Sequence, residues 1–391
     1  MFIDETDEQQ ALRRELRSYF QDLMTPALVA ECAHSEGGGP EFRKALKKMG
    51  ADGWLGVGWP KEYGGRGMTH VEQFIFADEA QRAFFPFPFL TVNSVSPTIA
   101  EYGTDEQKQE FLPRVAKGEC LFAIGYSEAD AGTDLASLKT RAVRDGDDWV
   151  INGQKLWTSL ADHADYIWLA ARTDPDAPKH AGISIFIVDT KSEGFEVQPI
   201  RTMGSVRTNA TFYDNVRVPG SRLIAGEGTG WSLIVNQLNH ERVALMPTGI
   251  IERLYEETLA WARAERLADG TRVIDRPWVQ HNLARVEAKI EVLRLLNWKQ
   301  AWNMGQGTFN YAESSTVKVY GSELNIEGYG LLLEVLGAAG TIRRDSPAAL
   351  VAGRIERMYR SMLILTFGGG TNEVQRDIIA MAGLGMPRAI R

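Results

Sequence analysis

Apolar positions along the chain change their period twice. Over residues 1–118 they recur at three- and four-residue spacing. Leu12, Leu16 and Phe20 follow Thr6 and Gln9, which are spaced as a capping box, and helical patterns return over 71–82 and 105–116. Residues 55–67 carry five glycines and a proline and read as an ordered loop. From about 119 to 228 the period drops to two, predicting strands over 140–143, 149–151, 155–159, 166–171, 183–188, 195–200 and 211–218. Asp145-Gly146 and Asn152-Gly153 read as tight hairpin turns, because these residues tolerate positive φ. From Trp231 onward helical spacing returns, with Leu283, Val286, Ile290, Leu293 and Leu296 on one stripe among four long helical segments. The expected fold is α+β in three parts: an N-terminal α-helical domain (1–118), a middle β domain of barrel or sandwich form (119–228) and a C-terminal four-helix bundle (229–391).

Length agrees, since 391 residues correspond to two or three domains. A net charge of −8 argues against a nucleic-acid binder, which gains affinity by releasing counterions from a basic face. Cys32 and Cys120 are too few for a disulfide scaffold and are not spaced as metal ligands. The acidic N-terminus lacks the apolar core of a signal peptide, and no run approaches the roughly 18 apolar residues of a membrane span. A cytoplasmic protein with no nucleic-acid or membrane partner is expected. No lysine directly follows a glycine, which excludes a P-loop, and no G-x-G pair is completed as a dinucleotide fingerprint. His163 lies among Asp162 and Asp165 but reads as a solvated loop, without the further ligands a metal needs. G-x-S-x-G is absent, leaving a serine hydrolase unsupported.

Three segments carry the chemistry. They are Phe122-Ala-Ile-Gly-Tyr-Ser-Glu-Ala-Asp-Ala-Gly-Thr-Asp134, Asn152-Gly-Gln-Lys-Leu-Trp-Thr-Ser159 and Phe367-Gly-Gly-Gly-Thr-Asn-Glu-Val-Gln-Arg376. In order, spacing and α–β–α context they resemble the signatures of the acyl-CoA dehydrogenase family, and the resemblance covers essentially the whole chain. It implies a noncovalent FAD and α,β-desaturation of an acyl-CoA thioester. Carried over residue by residue, Ser127 and the Tyr126 backbone face the flavin pyrimidine edge. Thr133, after the Gly132 turn, meets cofactor or substrate phosphates. Trp157 lies beside the isoalloxazine, Ser159 offers a hydroxyl near N5, and Thr371 and Glu373 touch FAD from the last loop.

Removing a proton from the α-carbon of a thioester requires a carboxylate in a dry site and polarisation of the carbonyl. Many family members place that glutamate directly before the Gly-Thr of the last loop, where this chain has Gly369. A minority, resembling the isovaleryl- and long-chain enzymes, place it on a bundle helix before an arginine, as in Gln237-Leu-Asn-His-Glu-Arg242. Glu241 is therefore the proposed base, and the Gly369 N–H is assigned to the thioester carbonyl. Arg242 organises the bundle on the substrate side, and His240 points to another helix face.

Residues 55–65, 165–170 and 367–373 look like enzymes of steroid side-chain degradation, whose CoA thioesters are carried by a sterol nucleus. Three consecutive glycines permit a bulky, α-branched acyl group. Branched- or long-chain fatty acyl-CoA dehydrogenation, a flavin oxidase or monooxygenase of the same fold, and a noncatalytic partner subunit are the alternatives. The resemblance also implies an electron-transferring flavoprotein as acceptor and FAD at a subunit interface, completed by a neighbour's Arg-x-x-Phe-Gly and Gln-x-x-Gly-Gly segments. Here Asp269 replaces that phenylalanine in Arg266-Leu-Ala-Asp-Gly270, and Glu334 replaces that glutamine in Glu334-Val-Leu-Gly-Ala-Ala-Gly340. A carboxylate about 5 Å from a phosphate costs roughly 3 kcal/mol at an effective dielectric near 20. The expected assembly is an α2β2 heterotetramer with a homologous second subunit, the alternative being a homotetramer.

Overall fold

The computed structural model describes residues 4–243, 246–308, 310–344 and 346–387, apart from the side chains of His34 and of residues 238–243. Helices α1 (Asp7–Leu23), α2 (Pro26–Glu31), α3 (Pro40–Ala51), α4 (His70–Arg82), α5 (Ser96–Tyr102) and α6 (Asp105–Ala116) precede the sheet. Capping boxes open α1 at Thr6/Gln9, α4 at Thr69/Glu72 and α6 at Thr104/Gln107, each satisfying backbone donors that the first turn leaves free. Leu12, Leu16 and Phe20 are buried against Phe42, Met49 and Ile75, as their spacing predicts.

The middle region holds β1 (Phe122–Gly125), β2 (Arg141–Asp145), β3 (Asp148–Lys155), β4 (Tyr166–Arg172), β5 (Ile183–Asp189), β6 (Phe195–Arg201), β7 (Arg207–Pro219) and β8 (Leu223–Ile224). They form one sheet in the order β6-β7-β3-β2-β4-β5-β8, with β1 parallel to β4. Strands β4 and β5 are buried on both faces. Ile167, Leu169, Phe186 and Val188 meet Trp149 and Val216 on the inner face, while Tyr166, Trp168, Ile185 and Ile187 face the helices. Both runs therefore read as continuously apolar.

Asp145-Gly146 makes the expected hairpin, with Gly146 at φ +65. Asn152-Gly153 does not. Strand β3 runs through it, and a bulge between Ile151 and Gly153 against β7 absorbs the glycine's φ of +147. The strand expected over 155–159 ends at Lys155. His163 is half-buried rather than solvated, meeting Gly38 and bonding Arg207 at 2.9 Å.

Four long helices follow: α7 (Gly230–Val243), α8 (Gly249–Ala264), α9 (Pro277–Gly305) and α10 (Tyr311–Leu336), with the shorter α11 (Arg354–Ser361) and α12 (Asn372–Ile378) beyond. Leu283, Val286, Ile290 and Leu293 are buried with Leu324, Tyr329 and Leu332 of α10. Gly321 and Gly328 let Met246 and Ile251 close on α10, where an added Cβ would come within 2.8 and 2.7 Å of them. Among the described residues, no helix is long and apolar enough to cross a membrane.

Candidate active site

Beyond β1 the chain leaves the sheet through a turn closed by reciprocal Glu128 and Ala131 backbone bonds of 3.0 and 3.2 Å. An ion pair that the sequence analysis did not single out holds this turn. Lys155, at the end of β3, is fully buried and donates through Nζ to the Tyr126 carbonyl (3.0 Å) and to Glu128 Oε1 (2.8 Å). The Glu128 carboxylate also accepts the Lys139 and Thr140 amides at 2.7 and 2.9 Å. Burial pushes the Glu128 pKa up, but Lys155 and those amides outweigh it and hold the carboxyl below its usual value. For Lys155 burial wins despite Glu128, and its pKa is pushed down to about 8. The Leu156 amide donates to the Ser127 carbonyl at 2.8 Å, so the first two signature segments form one unit.

Trp157 stands at φ +64, a left-handed conformation rare for a bulky residue, and is 59% exposed. Its neighbour anchors it: the Thr158 amide donates to Asn209 O at 2.9 Å, and Asn209 Nδ2 donates to Thr158 O at 3.0 Å. An exposed aromatic on a fixed, unusual backbone is a platform aimed outward. The half-buried Ser159 has its hydroxyl facing the Glu36 carboxyl of the N-terminal region. Gly132 and Thr133 are exposed, with open space where a Gly132 Cβ would lie.

Tyr126 joins this unit to the bundle. Its buried hydroxyl accepts Trp168 Nε1 at 3.0 Å and donates to Gln237 Oε1 of α7. Position 241 lies one turn beyond Gln237 on the same helix. The Glu241 and Arg242 side chains fall outside the described residues, as does that of His240.

The glycine loop is held from a different side. Lys318, buried in α10, donates to Gly370 O and Asn372 Oδ1, both at 2.7 Å, and Ser322 bonds Asn372. Gly369 and Gly370 have φ of +69 and +95, the left-handed region where glycine is favoured. The Thr371 Oγ1 accepts the Val374 amide at 3.2 Å as the N-cap of α12, leaving its O–H free to donate; Glu373 is exposed on the first turn. Thr371 and Glu373 thus belong to the α10 side, and α10 packs on α7, the helix that Tyr126 reaches through Gln237.

Next to α7, the π-helical turn over Leu90–Val95 borders a cavity of about 520 Å³. Phe74, Phe87, Phe89, Val92, Leu112 and Met304 make it mainly apolar. Two buried amide oxygens in its wall, Asn93 Oδ1 and Asn297 Oδ1, have no hydrogen-bond partner among the described residues. Lys155, Glu128 and Gln237 were inside the quoted segments, but nothing local marked them as an ion pair or a bridge. Lys318 carries no local signal, since nothing in the sequence sets it apart from the other polar residues of α10, such as Glu313, Glu323 and Asn325.

On the far side, Arg266 donates to the Gly270 carbonyl at 2.8 Å. Asp269 pairs with Arg276 and accepts from Thr271, which holds its carboxyl below the usual range. Glu334 accepts from Asn282 Nδ2 at 2.8 Å. Both carboxylates thus have partners within this chain, Asp269 at an exposed ion pair and Glu334 at an amide.

The sequence matches the N-terminal, middle and C-terminal domains of acyl-CoA dehydrogenases over residues 6–119, 123–216 and 228–384. It is 55% identical to the acyl-CoA dehydrogenase FadE26 of Mycobacterium tuberculosis over the full length of both chains. Superposition on a chain of the ChsE4-ChsE5 complex from Mycobacterium tuberculosis gives a TM-score of 0.94 at 56% identity, covering 100% of each chain. The steroid acyl-CoA dehydrogenase Tcur3481-Tcur3483 gives 0.93 at 51%, again covering 100% of each. With three domain matches in order and full-length relatives of this identity, the chain belongs to the acyl-CoA dehydrogenase family.

Proposed function

We propose that this chain carries out the FAD-dependent α,β-dehydrogenation of an acyl-CoA whose acyl group is a bulky steroid side chain, as the catalytic chain of a cytoplasmic α2β2 assembly. The observation that carries this reading is the apolar cavity of about 520 Å³ beside α7, the helix that bears Glu241, combined with a glycine, Gly369, where many family members carry the base. That volume lies within the 300–1,000 Å³ usual for small-molecule pockets.

The residues fit a flavin. Trp157 presents an exposed ring from a fixed backbone, the Lys155–Glu128 pair clamps the strand end at Tyr126 and Ser127, and Gly132 leaves open space beside Thr133. When bound, FAD supplies the hydride acceptor. Ser127, Ser159 and Thr371 would offer hydroxyls to hold it, and Thr133 and Glu373 would add further contacts. The Gly369 N–H donates to the thioester carbonyl, making the α-proton more acidic. Glu241 takes that proton, and Arg242 holds the substrate side of the helix. The apolar walls exclude water, favouring the proton transfer.

The two-chain names of the ChsE4-ChsE5 and Tcur3481-Tcur3483 structures support a homologous second subunit. So do Glu334 and the absence of an aromatic ring at Asp269, where a self-paired FAD site would need a glutamine and a phenylalanine. An electron-transferring flavoprotein is the proposed acceptor. Anaerobic titration of the FAD-loaded enzyme with fatty acyl-CoA and steroid acyl-CoA thioesters, following flavin bleaching, tests the substrate. Bleaching by straight-chain thioesters alone would refute the steroid assignment. A stable, fully active homotetramer with one FAD per chain would refute the heteromer.

A further inference from the structure

A second cavity, also of about 520 Å³, opens between α1, α4, α8 and α11, and it is lined by other residues than the acyl cavity. Six arginines line it: Arg17, Arg82, Arg253, Arg344, Arg354 and Arg357. Among the described residues only three acids do, and all are engaged. Glu79 is shared by Arg13 and Arg17, Glu256 pairs with Arg82, and Glu257 is shared by Arg253 and Arg354 at 2.9 and 2.8 Å. Among the described residues, Arg344 and Arg357 form no ion pair. Arg357 is half-buried, and its Nε is buried without a hydrogen-bond partner among the described residues. It faces Glu36 but also the like charges of Arg344 and Arg360. Arg360 is itself bound to Glu356.

Glu36 is one acid facing two arginines without an ion pair, and a buried guanidinium Nε without a partner is unfavourable unless a further anion joins them. Two planar forks facing one cavity suit the tetrahedral oxygens of a phosphate. Apolar groups complete the wall. Phe20, Met24 and Met358 line it, and Phe84 stands at φ +59 with the Arg253 and Arg354 guanidiniums 5.0 and 5.2 Å from its ring. We propose that this cavity is a binding site for a phosphate-bearing anion, held by Arg344 and Arg357 and separate from the acyl pocket.

The test is calorimetric titration of the FAD-loaded enzyme at low salt, saturated with CoA so that its own phosphate sites are filled. Inorganic phosphate and phenyl phosphate are the two probes. Binding of either that weakens at least about tenfold in Arg344→Gln and in Arg357→Gln, and in the parent weakens with added salt, bears the proposal out. A tighter phenyl phosphate assigns the site to an organic monoester, and equal binding assigns it to the free ion. Asp345 adjoins Arg344 in sequence and lies outside the described residues, so Asp345→Asn is titrated in parallel; binding by that variant alone overturns the proposal. No binding by the parent, or unchanged binding in both arginine variants, overturns it too. Folding is checked independently. Removing an unpaired charge should leave the melting temperature unchanged or raised, and phosphate should raise it in the parent only. A large fall in Arg357→Gln without phosphate would show a structural partner and refute the site.

Discussion

The Lys155–Glu128 pair can be separated into its parts by a double-mutant cycle with Glu128→Gln and Lys155→Met. The Lys155 side chain is 0% exposed and that of Glu128 10%, so each variant strands its partner away from water. Breaking a buried pair on one side costs about 3–5 kcal/mol. The lower end is expected, because each partner has an alternative. Without Lys155, Glu128 keeps the Lys139 and Thr140 amides. Glu128 holds the Lys155 pKa up, so without it that pKa falls below the parent's value of about 8 and Lys155 sheds its proton more easily. Each single variant should therefore lose about 3 kcal/mol, and the double variant should fall short of the sum by about 2 kcal/mol. Urea unfolding measures the cycle. FAD content after gel filtration measures the consequence for the site, because Lys155 also holds the Tyr126 carbonyl. Both singles should lose flavin. A coupling below about 0.5 kcal/mol, with flavin fully retained in both, would show that the pair does not position the strand end.

Glu241→Gln should keep FAD yet lose at least about 10³-fold in kcat, since an amide cannot accept the α-proton; near-normal turnover would remove Glu241 as the base. Ala301→Phe, placed in the wall of the acyl cavity, should raise KM for bulky acyl-CoA thioesters about tenfold or more and leave short-chain binding unchanged; equal effects on both would locate the acyl group elsewhere. The Lys155 pKa is about 8 folded against 10.5 unfolded, so the unfolded chain binds more protons between those values. The burden this group places on stability is full below pH 8 and is relieved as pH rises toward 10.5. The urea midpoint should therefore rise with pH relative to Lys155→Met over that window, and parallel profiles would contradict it.

Local rules wrote much of this protein directly into its sequence. Thr6, Thr69 and Thr104 satisfy the first amides of α1, α4 and α6, and the leucine and isoleucine stripe of α9 needs only helical geometry to become one buried face. The order of three signature segments sufficed for the family. Tertiary structure decided what depends on partners distant in sequence. Asn152-Gly153 has turn chemistry, yet pairing with β7 was the stronger term and the glycine became a bulge. Asp269 reads in sequence as a bare negative charge, and only the fold sets Arg276 beside it. The Lys155–Glu128 clamp, the Tyr126–Gln237 bridge to α7 and the Lys318 hold on Gly370 span 27, 111 and 52 residues. Each joins elements whose own patterns give no sign of the other, because a buried polar group finds its partner only when packing has removed the water.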